Sequence, residues 1–332
     1  MNLQERKDLL IRLGSLMASD DEGWQNAKRK ATAENPWFIP EFINLSVNNI
    51  VEQFLSEEAL QGLIGRYKIT EPLQPKKVGI VMAGNIPLVG FHDLMCTLLT
   101  GHYAMIKPSS KDEALVTFLI KKLKELNPDA IPYFTVSEML KGCDAYIATG
   151  SNNSSTYFQY YFSKYPHIIR KNRTSVAVLT GNETDVELAA LADDVYQFFG
   201  LGCRNVTKIF VPRNFNFERL LTVFEKYDYL TDYQKYKNNY DYHLAILLLN
   251  HKPYMSNESL LLVEDSSVFS PISQLNYEYY SDWESLKQRL KDTEQIQCVV
   301  SKDSVAFGAA QQPSICDFAD GVDTVEFLLS LS

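Results

Sequence analysis

The chain has 332 residues, enough for two domains with a core each, since a single domain runs to roughly 150 residues. Its 45% hydrophobic and 22% charged residues exclude extended disorder. The 32 basic residues against 41 acidic ones give a net charge of −9, and no dense Lys/Arg run interleaves with aromatics, which excludes a nucleic-acid groove.

The chain starts with Glu5, Arg6, Lys7 and Asp8 in place of a cationic start and an apolar run, which speaks against a secretory signal. No apolar run approaches the roughly 20 residues of a membrane helix. Over residues 1–67 apolar side chains recur three or four apart, as in Leu9, Leu13, Leu16 and Phe42, Val47, Ile50, Phe54, and predict several packed helices.

After Pro75 the texture changes to short apolar runs alternating with helical stretches: residues 78–83, 94–99 and 104–106, then a strong helix. Alternation of strand and helix predicts a parallel sheet. Ser110 and Glu113 form a capping-box pattern for that helix, Leu115, Phe118, Leu119, Leu123 and Leu126 make one face, and Asn127-Pro128 stop it. Residues 146–148 and 176–179 read as buried strands. A helix capped by Thr184 and Glu187 runs to about Phe199 and ends at Gly200-Leu201-Gly202. Beyond a β-branched strand at 206–211 the pattern is mixed α/β, with an apolar run at 259–263 and an amphipathic stretch at 283–290. The aromatics Tyr196, Phe198, Phe199 and the run Tyr157 to Phe162 suit a core better than an acyl tunnel.

The five cysteines, at 96, 143, 203, 298 and 316, have neither an even count nor metal-ligand spacing, so reduced thiols in a cytoplasmic protein are expected, with no metal. Cys203 stands apart, because two glycines permit a tight turn before it and Arg204 follows it, a neighbour that favours the thiolate. Alone this is weak, since a cysteine is usually a small buried hydrophobe. The five histidines share no ligand spacing, and His92 reads as structural before catalytic. Arg170, Lys171 and Arg173 would suit a substrate phosphate or form a solvated basic turn.

Four further segments lie in the order and approximate spacing of the aldehyde dehydrogenase superfamily. Ala83-Gly-Asn85-Ile-Pro87 resembles its asparagine-proline motif, which implies that Asn85 and the Cys203 backbone N–H bind an oxyanion; the same residue types also make ordinary turns. The strand ending in Lys107-Pro108-Ser109 resembles the segment whose lysine contacts the cofactor ribose, which assigns Lys107, Ser109 and Ser110 to the cofactor. Many NAD-using members carry glutamate where Ser110 stands, with Lys111 next here, so NADPH is the expected cofactor and NADH the alternative; capping by Ser110 explains the residue equally well. Thr149-Gly150-Ser151 is similar to the second cofactor turn, where Gly150 and Ser151 would approach the pyrophosphate.

The departure from the superfamily is informative. Ordinary members carry Glu-Leu-Gly-Gly-Lys where this chain has Ile169 to Arg173, so the general-base glutamate is absent. Hydrolysis of an acyl-cysteine should then be slow, leaving exchange with coenzyme A or reduction. The chain most resembles the LuxC-type acyl-CoA reductases, through residues 175–181, 200–206, 307–311 and 320–328. It is short for that family, which implies lost loops or a lost oligomerisation arm.

The resemblance implies an α/β, aldehyde-dehydrogenase-like fold with a Rossmann-like cofactor domain and a smaller α/β catalytic domain. The expected divisions are N-terminal helices over 1–67, the NAD(P) domain over 68–190, the catalytic domain over 191–304, and a C-terminal segment, 305–332, returning to the cofactor domain or an interface. The implied reaction is reduction of a fatty acyl-CoA to an aldehyde, with coenzyme A as part of the substrate. An acyl-activating or acyl-transfer protein is an implied partner and a dimer the oligomer considered. A cysteine acyltransferase or thioesterase, and a non-catalytic relative, are the alternatives.

Overall fold

The computed structural model describes residues 1–291 and 293–331. They form two compact units: residues 1–172 with the C-terminal segment from Pro313, and Arg173–Gln312.

The first unit begins with four helices, α1 (Leu3–Met17), α2 (Glu22–Glu34), α3 (Pro40–Gln53) and α4 (Glu57–Tyr67). Asn2 and Glu5 close a capping box on α1, Asp21 caps α2, Pro40 opens α3 and Ser56 caps α4. Their buried faces carry Leu9, Leu10, Leu13, Trp24, Phe42, Val47 and Leu60. The sheet follows as β1 (Lys77–Val81), α5 (Phe91–Leu99), β2 (Tyr103–Lys107), α6 (Glu113–Leu126), β3 (Phe134–Val136), β4 (Ala145–Thr149), α7 (Asn152–Phe162) and β5 (His167–Arg170). All pairings are parallel, in the order β3-β2-β1-β4-β5. Trp24 of α2 stacks on Phe118 of α6 at 5.4 Å, fixing the helical layer to the sheet's own helices.

The second unit holds β6 (Thr174–Val178), α8 (Asp185–Tyr196), β7 (Val206–Val211), α9 (Phe217–Phe224), α10 (Gln234–Leu249), β8 (Met255–Ser256), β9 (Leu261–Glu264), β10 (Gln274–Tyr279), α11 (Trp283–Lys291) and β11 (Ile296–Val300). Its sheet runs β11-β6-β7-β10-β9-β8, parallel except for the short edge strand β8. Lys208 of β7, almost fully buried, donates to Glu278 of β10 at 2.6 Å and so neutralises itself inside the sheet layer. From Pro313 the chain belongs again to the first unit, where α12 (Thr324–Leu329) packs on α5.

Four sequence expectations are corrected. The boundary falls after Asn172 and not near residue 190, because β6 pairs with β7 and β11 and so belongs to the second sheet. The C-terminal segment divides at Pro313 and not at residue 305. Ser110 does not cap α6: the N-cap is Asp112, whose carboxylate accepts from the Leu88 N–H instead. Tyr157, Tyr160 and Tyr161 lie exposed on α7, which packs inward through Phe158 and Phe162, the latter stacked on Tyr146 at 4.0 Å.

Arg170, expected either to meet a substrate phosphate or to lie on a solvated basic turn, is buried at the end of β5. It is paired with Asp93 of α5 and donates to Thr324 of α12 at 2.8 Å. Arg170 Nε and Asp93 Oδ1 have no hydrogen-bond partner among the described residues, so neither charge has a substitute for the other. Asp93→Ala or Arg170→Met alone should therefore destabilise the protein by about 3–5 kcal/mol, and Asp93→Leu with Arg170→Met by much less. Thermal melts of the three variants decide it; an equal loss in the double variant would exclude a buried charge pair as the cause.

Candidate active site

Parallel strands end on one side of their sheet, and in the first unit this gathers the candidate cofactor residues. Strand order reverses between β1 and β4, and in open α/β sheets that switch point opens a crevice beyond the carboxyl ends. Asn85 lies in the loop after β1, half-buried. The loop is tied down at several points: Leu88 has a left-handed backbone, φ 56°, and its N–H donates to Asp112 at 2.7 Å. Ser46 Oγ donates to the Pro87 carbonyl at 2.7 Å. Burial pushes the Asp112 carboxyl well above the usual range, against the lowering effect of the Leu88 hydrogen bond.

Lys107 is the last residue of β2 and is exposed; its side chain has no ion pair or hydrogen bond among the described residues. Ser109 abuts Gly84, where a Cβ would come within 2.6 Å of the Ser109 hydroxyl, so the two loops touch only because Gly84 lacks a side chain. Ser110 is exposed beside them. Gly150 follows β4, and a Cβ there would lie 2.9 Å from Ser154 and Phe158 of α7. Ser151 caps α7, accepting from the Ser154 N–H at 3.3 Å. Asn85, Lys107, Ser109, Ser110, Gly150 and Ser151 thus share one sheet edge. Lys107 and Gly150 are separated by the width of one intervening strand, about 10 Å. Glycines at both close approaches and a helix N-terminus beyond β4 fit a dinucleotide.

In the second unit Cys203 sits half-buried in a turn between α8 and β7, closed by the Asn205 N–H on the Gly202 carbonyl at 3.1 Å. The approach is strained: Phe198, Phe199 and Gly200 have φ of 55°, 56° and 72°, and both phenylalanines are buried. Left-handed non-glycine residues persist only where their surroundings over-determine them, and they collect at functional sites. Ser175 Oγ, at the start of β6, donates to the Cys203 carbonyl at 3.1 Å and lies 3.1 Å from Cys298 Sγ. The helix to which the turn is attached carries Asp194, which accepts from the Gly308 and Ala310 N–H groups at 2.7 and 2.9 Å.

Cys96, Cys143 and His92 are engaged in the fold of the first unit. Burial pushes the thiols of Cys96 and Cys143 up. His92 Nε2 lies 2.9 Å from the Ile315 carbonyl, with Phe54 and Phe318 edge-on to the ring. Ile169 pairs in β5 with Ala148, and neither that strand nor residues 171–173 carry a carboxylate. Among the described residues no group of His, Cys, Asp and Glu could hold a metal, and no helix is long and apolar enough to cross a membrane. Sequence reasoning missed Ser175, Asp194, Asn205 and Asp112. Ser175 and Asn205 carried a signal, through their places in the segments 175–181 and 200–206.

Residues 52–218 match the sequence profile of the acyl-CoA reductase (LuxC) family. No curated protein matches at a significant level. Among solved structures, aldehyde dehydrogenase 21 from Physcomitrella patens, in complex with the reaction product succinate, is 13% identical, with 100% of this chain and 84% of that one covered at a TM-score of 0.71. The Mycobacterium tuberculosis aldehyde dehydrogenase complexed with NAD+ is also 13% identical, covering 100% and 84% at 0.70. An oxidoreductase from Marinobacter aquaeolei is 12% identical, covering 89% and 72% at 0.65. The fold is that of the aldehyde dehydrogenases.

Asp194 gives this site a measurable pH response. Its carboxyl is raised to about 7, burial outweighing the two N–H donors that favour the charged form. An acid raised above its unfolded value stabilises the fold when protonated. That contribution is complete below about pH 4 and is lost as pH rises to about 7. Asp194→Asn cannot titrate, so its stability relative to the parent should climb across that window and level off above it. Urea titrations at several pH values test this, and a constant difference would mean that the carboxyl titrates normally.

Proposed function

The chain belongs to the acyl-CoA reductase (LuxC) family, and from that membership we propose that it reduces a fatty acyl-CoA to the aldehyde through an acyl-cysteine at Cys203. One observation carries the reading: the matched residues, 52–218, contain Asn85, Lys107, Ser109, Ser110, Gly150, Ser151 and Cys203 together.

In the proposed reaction the Cys203 thiolate attacks the acyl carbonyl carbon, a new C–S bond forms, and the bond to coenzyme A breaks with the departing thiolate taking a proton. Asn85 and the Cys203 amide donate to the oxyanion, the role the family resemblance gives them, and such a donor contributes roughly 3–4 kcal/mol. Lys107 would hold the ribose, and Gly150 and Ser151 would admit the pyrophosphate at the start of α7. The nicotinamide, when bound, would supply the hydride for reduction of the thioester. The resulting thiohemiacetal at Cys203 releases aldehyde as its C–S bond breaks, and the thiolate is restored. With Ile169 where a base-bearing member has glutamate, no carboxylate on β5 activates water, which favours reduction over hydrolysis.

Cys203→Ser should abolish acyl-CoA-dependent NADPH oxidation and the acyl adduct seen by intact mass, with aldehyde and not acid as the parent's product. Turnover surviving in Cys203→Ser would overturn the assignment. NADPH is favoured because Ser110 and Lys111, both exposed, place a cation and no anion beside the proposed ribose site. Lys111→Glu should lower the NADPH-to-NADH ratio of kcat/KM about tenfold, as expected for one ion pair of roughly 1.4 kcal/mol. An unchanged ratio would remove Lys111 from cofactor choice.

A further inference from the structure

Cys203 owes its place to a side chain that no sequence motif singles out. Asn205 is fully buried. Its Oδ1 accepts from the Gly202 N–H at 2.8 Å. Its Nδ2 donates to the carbonyls of Gln197 at 2.8 Å and Asp194 at 3.0 Å, with the Val195 carbonyl at 3.4 Å sharing a hydrogen. These carbonyls belong to the end of α8, where a helix runs out of its own donors. The amide is thus saturated, one end on the residue before Cys203 and the other on the helix before it.

The surroundings make this bond set directional. The backbone between Tyr196 and Cys203 runs through three left-handed residues and has no regular ladder to hold it. On the far side of the turn β6 engages backbone carbonyls: Ser175 Oγ donates to that of Cys203, and the Ser175 N–H and Thr174 Oγ1 donate to that of Asn205. The Asn205 side chain is what ties the Gly202–Asn205 turn to the end of α8. Asp194, whose carbonyl Asn205 engages, also receives the Gly308 and Ala310 amides, so the same helix end carries the 308–310 segment.

We propose that Asn205 is a positioning residue for Cys203, fixing the sulfur and the neighbouring amide in the attacking geometry by clamping the turn to the end of α8. The inference rests on Cys203 being the nucleophile. It acts through backbone placement, and a misplacement of about 1 Å can cost a hundredfold in rate. An aspartate in the same place keeps the acceptor for Gly202 but sets an anion against three carbonyls; protonation returns one donor.

The test compares Asn205→Ala and the isosteric Asn205→Asp with the parent in acyl-CoA reduction, in iodoacetamide alkylation of Cys203 read by mass across pH, and in thermal melting. Both variants should lose between about tenfold and a hundredfold in kcat while KM for acyl-CoA stays within about twofold, because only the reacting group is displaced. The alkylation midpoint should move in both. The Asn205→Asp to parent rate ratio should rise as pH falls from about 8 to about 6, where a buried carboxyl regains its proton. A lowered melting point with unchanged alkylation profile and kcat would overturn the proposal, and so would failure of both variants to fold, since Asn205 would then serve the fold and not the site. The alkylation arm needs no acyl-CoA turnover. A parent that alkylates at Cys203 yet reduces no acyl-CoA would refute the proposed reaction, while the two profiles would still decide the role of Asn205.

Discussion

A helix that ends inside a core leaves its last carbonyls without donors, and each such group left unpaired costs about 1–3 kcal/mol. At α8 this requirement is met by one amide, that of Asn205, and that solution shapes the whole approach to Cys203. The chain must turn back at once, so Phe198 and Phe199 adopt a backbone that side chains ordinarily avoid, at about 1–3 kcal/mol each. Their rings offset this by burial, Phe199 against Tyr233 and Tyr236. The nine residues between α8 and β7 hold this left-handed stretch and then a four-residue turn, Gly202–Asn205, that contains Cys203.

Parallel pairing sets where the rest of the chemistry lies. In the first sheet every strand ends on the same side, so residues as distant in sequence as Asn85, Lys107 and Gly150 are carried to one edge without any contact specifying it. In the second sheet the candidate cysteine lies at a strand start. Cys203 precedes β7, and Ser175 and Cys298 meet beside it near the starts of β6 and β11. Each sheet presents loops only at strand ends, which leaves the interiors free to be continuously buried, as Thr174–Val178 is.

These features are unevenly legible in the sequence. Period and punctuation identify helices and strands, and the Thr184–Glu187 box is present with Thr184 exposed and Glu187 half-buried, the exposed Lys302 being a further partner of the glutamate. The matching pattern at Ser110 and Glu113 gives no cap, because Asp112 is buried and its carboxylate is drawn to Leu88, a tertiary partner that no local window contains. The unit boundary escapes a sequence reading for the same kind of reason. An apolar strand looks alike in either sheet, and only its pairing decides membership. Motif spacing marks Cys203, Asn85 and the cofactor turns, but a motif says nothing about which carbonyls a neighbouring amide satisfies, so Asn205 and Asp194 become visible only in three dimensions.

The fate of β5 connects fold to reaction. The proposed reaction finds no base on this strand, whose last residues are Ile169 and Arg170. Arg170 turns inward, takes the Asp93 carboxylate and the Thr324 hydroxyl, and so joins β5 to α5 and α12. A carboxylate held by a buried guanidinium is committed to it, since freeing either partner would leave an uncompensated charge in the core. The strand has thus become a brace, and Asp93 is not available as a general base. In the proposed reaction this leaves neither β5 nor α5 a free carboxylate to activate water, the condition that favours reduction of an acyl-cysteine over its hydrolysis.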